Sequence, residues 1–362
     1  MKSLFSFYPN ASKIYDYLYF PSLVHYNEQD NSKVDNHKDE VPEEFIKLQT
    51  EISLKLKPYK NILSKYYYYD DINIIHLLLG KYSFFDYVNV SDYLDALQNL
   101  DSKEIVKTII GSLEAKETGT PKSQEARKLA EELVNDDSRL MSWINKLSYS
   151  GETKWQLLTF TKTPKESLNE CINTLRSLEG IFLEYYSPVE KKIMDYGEEF
   201  ILRLNNVEGD ALDKITNGTL KNSMIPGEKG HMLISYFGDY SIHIYPGVGP
   251  GFIAWGMGIE EIFQKLSKRE ENELSDRILL FKNLGDKTRY EVLKCIASGT
   301  TSTKVIAKEL GVSSATISYH ISNLTTSKII VPLHAEGRYI YVVNHETIEK
   351  CFKDLKKDLK IT

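Results

Sequence analysis

The stretch from Ser302 to Leu324, STKVIAKELGVSSATISYHISNL, constrains the fold more than any other part of the chain. Ser302 or Thr303 offers a hydroxyl to cap a short helix with Val305, Ile306 and Leu310 inside. Gly311 then supplies a sharp turn that other residues adopt at a cost. Ser313 caps the next helix, in which Ile317, Ile321 and Leu324 recur at i, i+4 and i+7 and so share one buried face. That face turns Ser314, Ala315, Ser318 and Tyr319 outward.

The flanks extend the pattern. Upstream, Asp286 caps a helix whose expected buried face is Tyr290, Leu293 and Ile296 to Ala297, and Gly299 ends it. Downstream, Ile329 to Val331 and Tyr339 to Val343 are β-rich runs joined by the turn His334-Ala335-Glu336-Gly337. This order of helices, glycine turn and hairpin is that of a winged helix-turn-helix. A helix enters the major groove by its N-terminal end, where small hydrogen-bonding side chains let the backbone approach the base edges. The expected DNA-binding residues are therefore Ser313, Ser314, Ala315, Thr316, Ser318 and Tyr319, with Arg338 beside the hairpin turn placed to meet phosphate or the minor groove. A solvated polar surface on the helix, and an Arg338–Glu336 pair on the hairpin, are the competing readings.

The runs LFKNLGDKTRYEVLKCIASG, ELGVSSATISYHISNL and EGRYIYVVN resemble, in order, the opening helices, the turn with its following helix, and the wing of the ArsR-type winged-helix repressors. The resemblance covers roughly residues 274–360. It implies that Ser314, Ala315, Ser318 and Tyr319 face DNA, and that a homodimer forms through the first and last helices. Phe352, Leu355 and Leu359 give that last helix an apolar stripe. Founding members of the family sense metals through a Cys-x-Cys pair, where this chain has Ser302 and Lys304. On the last helix it offers only His345, Glu346 and Glu349 near Cys351, which is short of a closed ligand set. No metal or other cofactor is expected, and His320 and His345 are read as helix-flank and capping residues.

The formal charge of −6 obscures an asymmetry. From Glu273 onward there are 14 Lys+Arg against 10 Asp+Glu, net +4, leaving −10 on the first 272 residues. A basic DNA-binding part on an acidic body fits that split. With 362 residues, more than one domain is expected, and the charged run REENELSD at 269–276 marks the boundary between residues 1–270 and 271–362. No apolar run approaches the roughly 20 residues of a membrane span, and the first 20 residues lack the plan of a secretion signal, so a cytoplasmic location is expected. Cys171, Cys295 and Cys351 are too scattered for a disulfide framework and are read as buried thiols.

The body begins with a short strand or extended arm and a helix around Pro9, followed by a polar loop over 27–40. Pro42 opens a helix with Phe45, Leu48, Ile52 and Leu56 on one face, and helical patterns follow at about 91–112, 122–148, 164–186 and 188–204. MLISYF (232–237) and YSIHIYP (240–246), separated by Gly238-Asp239, predict a tight hairpin, and Gly247–Gly258 a turn. The fold class is mainly α with small β elements: a large helical N-terminal domain with a late β-hairpin, plus a C-terminal winged helix-turn-helix. This body faintly resembles an uncharacterised domain that precedes the winged helix in long ArsR-type members. Gly249 to Ala254 fits a GxGxxA fingerprint, but Pro250 disturbs the phosphate turn and no βαβ unit has room to follow. The tyrosines, notably 66–69, are read as packing residues.

The function expected is sequence-specific transcriptional regulation, by default repression, of an inverted-repeat operator. The partners are double-stranded DNA and a second copy of the chain, with no membrane and a small-molecule effector left open. No nucleophile, acid-base or phosphate-loop motif assigns a catalytic residue, so no enzyme is expected. An enzyme in the body, or a winged helix used as a protein-interaction module, are the rival classes.

Overall fold

The computed structural model describes residues 4–28, 41–68, 73–79, 84–118, 124–225, 229–245, 251–270, 273–300, 302–335 and 338–361. Residues 29–40, which hold most of the expected polar loop, lie outside them. The chain divides into two compact units, with the change falling between Glu260 and Glu261.

In the first unit, β1 (Phe5–Phe7) leads through Tyr8 into α1 (Pro9–Tyr19), whose first position holds the proline that the fixed φ suits, and a 3-10 run follows over Phe20–Glu28. Then come α2 (Glu43–Leu56), α3 (Lys60–Leu63), α4 (Ile74–Leu79), α5 (Val90–Gln98), α6 (Ser102–Thr118), α7 (Gln124–Leu133), α8 (Asp137–Lys146), α9 (Gly151–Lys162), α10 (Pro164–Ser177), α11 (Glu179–Tyr186), α12 (Glu190–Asn206) and α13 (Ala211–Ile215). The helical patterns expected at 91–112, 122–148 and 164–186 are thus subdivided, while that at 188–204 stands whole as α12. Asp136 interrupts 122–148 by accepting the Arg139 N–H as the N-cap of α8, and Leu178 separates α10 from α11. The expected 91–112 helix breaks at Asn99–Asp101.

A four-stranded sheet of order β1-β2-β4-β3 lies at the centre of this unit, with β2 (Gly230–Ser235), β3 (Ile242–Tyr245) and β4 (Phe252–Gly256). β1, β2 and β4 are parallel, and β3 runs antiparallel on the edge. This corrects the expected tight hairpin: the two runs flanking Gly238-Asp239 do not pair with each other, because the apolar, fully buried β4 sits between them. α1 covers one face, where the Tyr15 ring meets Phe252 and Tyr245 edge-on at 5.9 and 6.0 Å. α12 serves the other, with Phe200 4.7 Å from Trp255 and Gly197 leaving room for the Phe7 ring.

Polar side chains fix α1 to the sheet. Ser12 Oγ accepts the Ile234 N–H at 2.9 Å, and the Asp16 carboxylate accepts from the Ser235 hydroxyl at 2.6 Å and the Tyr236 N–H at 2.7 Å. Asn205 brackets the outer edge of β1, accepting the Phe5 N–H and donating to its carbonyl, so that this edge is not an open template. Tyr66, Tyr67 and Tyr68 are core residues, and Tyr67 donates to the Leu18 carbonyl at 3.0 Å. Tyr69 lies outside the described residues.

The second unit holds α15 (Glu273–Leu284), α16 (Lys287–Ala297), α17 (Thr303–Leu310), α18 (Ser314–Thr326), β5 (Ile330–Ala335), β6 (Arg338–Val343) and α19 (His345–Asp358), after α14 (Ile259–Glu270), which spans the division. The boundary expected at 269–276 lies C-terminal to the division between Glu260 and Glu261. The core here is Leu280, Val292, Leu293, Ile296, Ile306, Ile317, Ile321, Leu324, Ile329 and Ile330. Each such aliphatic chain, once buried, contributes about 1.5–3 kcal/mol relative to exposure. Three expected core positions are not buried: Tyr290 is 49% exposed, Val305 is 52% exposed, and Ala297 is also exposed. On α16 the core takes Val292 in place of Tyr290, while on α17 Ile306 is buried and Leu310 half-buried, as expected.

Candidate nucleic-acid interface

The geometry starts at α17. The Ser302 hydroxyl accepts the Val305 N–H and so begins the helix, and Gly311 ends it at φ 68° with its N–H on the Ala307 carbonyl. That left-handed residue reverses the chain within two residues, because the Val312 N–H returns to the same Ala307 carbonyl at 3.0 Å. Ser313 then starts α18, its Oγ accepting the Thr316 N–H at 3.0 Å and lying 2.8 Å from Thr316 Oγ1. Two of the hydroxyls expected at DNA, those of Ser313 and Thr316, therefore also build the cap.

On α18 the inward face is Ile317, Ile321 and Leu324, all buried. Ala315 and Ser318 are exposed, and Ser314 and Tyr319 are half-buried, so the sequence-predicted outward residues share one face. Ser322, one turn beyond Ser318, is also exposed on that helix and was missed, although the 3.6-residue period carries the stripe to it. Behind α18, β5 and β6 pair antiparallel from Ile330↔Val343 to Ala335↔Arg338. His334 and Ala335 thus belong to a strand where sequence placed them in the turn, while Glu336 and Gly337 lie outside the described residues. Arg338 is the first residue of β6.

The α18 segment carries no Lys, Arg, Asp or Glu, so attraction to phosphate has to come from its flanks. Lys304 and Lys308 stand one helical turn apart on α17 and are both exposed, and Lys287 is exposed at the start of α16. Sequence reasoning passed over these lysines, whose signal was their i, i+4 spacing on the helix before the turn. In a helix-turn-helix the first helix crosses the backbone, where point charges serve position and not sequence.

His320 is neither a helix-flank nor a capping group, and His345, although it stands at a helix end, is not the cap. His320 is buried in the middle of α18, and α19 is capped by Asn344, whose side chain accepts the Thr347 N–H, while His345 is simply its first residue. The three cysteines are buried thiols, with burial pushing Cys171, Cys295 and Cys351 above the ordinary range. Among the described residues no three His, Cys, Asp or Glu side chains gather as metal ligands. None of the described helices is long and apolar enough to cross a membrane.

Two helices joined by a left-handed glycine, with a β-hairpin after the second, define a helix-turn-helix unit of the kind with which regulators bind duplex DNA. A family model described as a helix-turn-helix domain matches residues 284–331, from the end of α15 into β5. No curated protein and no solved structure matches the chain.

Proposed function

We propose that the protein is a cytoplasmic, sequence-specific transcriptional regulator of ArsR type that binds an inverted-repeat operator as a homodimer, with repression as its output. It acts by binding and not by catalysis. The observation that carries this reading is the face of α18: Ser314, Ala315, Ser318 and Tyr319 outward, with Ile317, Ile321 and Leu324 anchoring the helix from behind. An α-helix offering small hydroxylic residues at its N-terminal end suits major-groove entry, and Arg338 at the wing suits phosphate or the minor groove.

The homodimer is supported by α15 and α19. They lie side by side, with Arg277 paired to Asp354 and Asp358 and the Phe281 and Phe352 rings edge to face at 5.8 Å. Around that seam Ile278, Phe352, Leu359 and Ile361 are 59%, 45%, 60% and 54% exposed, an apolar surface fitted to an identical copy. Two α18 helices related by that dimer axis would reach half-sites about one helical turn apart.

Selection from random duplexes tests the reading. We expect recovery of a palindromic sequence bound by a dimer, with affinity falling steeply as salt rises; salt-sensitive binding without a selected sequence would overturn specific regulation.

A further inference from the structure

We propose that His320 makes the seating of α18 on its own domain sensitive to pH, so that protonation of this one ring loosens the helix from α16 and releases DNA. The inference rests on the reading of α18 as the recognition helix. Its basis is a set of buried polar side chains on three elements, of which α15 packs against α16 and α16 against α18. Asn283 at the end of α15, Arg289 in the first turn of α16 and His320 in α18 are only 1%, 9% and 6% exposed.

The seam is under-satisfied. Arg289 Nη1 donates to Asn283 Oδ1, yet Arg289 Nε, Asn283 Nδ2 and His320 Nδ1 make no hydrogen bond within the protein. Among the described residues no carboxylate stands at ion-pair distance from the Arg289 guanidinium. The nearby carboxylate, Asp286, is engaged in capping α16, where it accepts the Arg289 N–H at 2.7 Å. A buried cation without a paired anion is expensive, and burying a second cation on the helix packed against it adds a further desolvation cost.

His320 is where that second cation would arise. Burial pushes its pKa below the ordinary 6.5; the Asp286 carboxylate opposes the shift and the Arg289 guanidinium adds to it. Other elements packed on α18 do little to offset this. On α17, Lys304, Lys308 and Glu309 are exposed, and on β5 Ile330 to Leu333 carry no charge. On α18 itself the neighbour is the Tyr319 ring, 5.5 Å away centroid to centroid. That adjacency ties the switch to function, because Tyr319 is one of the outward residues and cannot hold its place when His320 leaves the seam.

The sign follows from linkage. The seated helix holds His320 neutral, whereas a loosened helix lets it titrate at its ordinary value, so acid favours the loosened form. Seating is complete above about 6.5 and is lost as pH falls through 6.5 toward the lowered value, by up to about tenfold per pH unit for one proton.

The test uses the full chain and His320→Gln, with His320→Phe as a second variant. The first measurement is binding to the duplex recovered by selection, from pH 8 to pH 5. Wild type should lose affinity by up to about tenfold per unit below pH 6.5, and the variants should stay flat relative to it. The second measurement needs no DNA: hydrogen exchange of residues 314–326, compared between wild type and His320→Gln at each pH. Protection of these amides that falls below that of His320→Gln in acid, and matches it at pH 8, supports the switch. Wild type and His320→Gln tracking each other in exchange overturns it, whatever the DNA result. A chain that selects no duplex, yet shows the His320-dependent exchange, overturns the regulatory reading and leaves the seam's switch standing.

Discussion

Tyr319 and Ser318 sit side by side on the outward face of α18, yet Tyr319 is half-buried where Ser318 is exposed. A half-buried ring is held in place before DNA arrives, so it can report sequence without a large ordering cost. We expect Ser318→Ala and Tyr319→Ala to cost about 1–3 kcal/mol on the preferred duplex and to relax preference at the contacted base pair. Arg338→Ala should weaken all duplexes alike and flatten the salt slope, which competition binding at several salt concentrations separates. In the body, the residue of interest is Asp16. Burial pushes its carboxyl from 3.8 up to about 7, against the opposing hydrogen bonds from Ser235, Tyr236 and Phe237. Because the folded pKa is raised, the stability that the bound proton confers is complete below 3.8 and is lost as pH rises toward about 7. Carbon-13 titration should find this carboxyl near neutrality. Urea midpoints should fall between pH 5 and pH 8 with a slope that Asp16→Asn lacks; an equal slope in the variant would remove Asp16 as the cause.

At the scale of elements, two glycines need opposite explanations. An added Cβ at Gly256, the last residue of β4, would overlap the carbonyl oxygens of Asp239 and Gly238, whereas one at Gly311 meets nothing within 4 Å. Gly256→Ala should therefore force the 238–239 turn away from the sheet and cost about 1–3 kcal/mol or more, read as a lower urea midpoint of the body. Gly311→Ala carries only the left-handed backbone cost, about 1–2 kcal/mol, and Gly311→Asn less. The same contrast explains what sequence could show. Asp286, Ser302, Ser313 and Gly311 were legible because a cap joins a side chain to an N–H three residues on, and a glycine turn is equally local. The inward face of α18 was legible for the same reason, since Ile317, Ile321 and Leu324 repeat over two turns. β4 was hidden inside a glycine-rich stretch read as a turn, and its partner β2 is parallel to it, a pairing that no local signal encodes. β1 pairs with β2 across more than half the chain. The seam of Asn283, Arg289 and His320 joins three elements, so spacing could not show it either.

For the whole molecule, the question is how the acidic body could govern a basic reader of DNA. Phosphate repels a segment of net −10 and attracts one of net +4, so the body is expected to act through α18's placement and not by touching bases. The element we propose for that role is α14, which begins inside the body and extends past the division at Glu260. Its first turn is gripped there: Arg203 of α12 holds both carboxylate oxygens of Glu260, at 2.7 and 2.8 Å, and the Tyr196 hydroxyl donates to the same carboxylate. Tyr196 in turn accepts from Trp255 Nε1 on the central strand at 3.1 Å. The partly exposed ion pair alone is worth little, but a bidentate fork with a third donor fixes the Glu260 carboxylate within the body. If the proposed regulation by the body holds, a coupling of about 1–3 kcal/mol between an effector and DNA would change operator occupancy about 5- to 150-fold. Glu260→Gln, which keeps the shape and drops the charge, should reduce that coupling while leaving effector-free affinity within a few fold. The measurement is operator affinity with and without each metabolite that raises the melting temperature of the full chain, set against a fragment beginning at Glu273. A fragment that dimerises and binds the operator as the full chain does, under every such metabolite, would show that the body exerts no control.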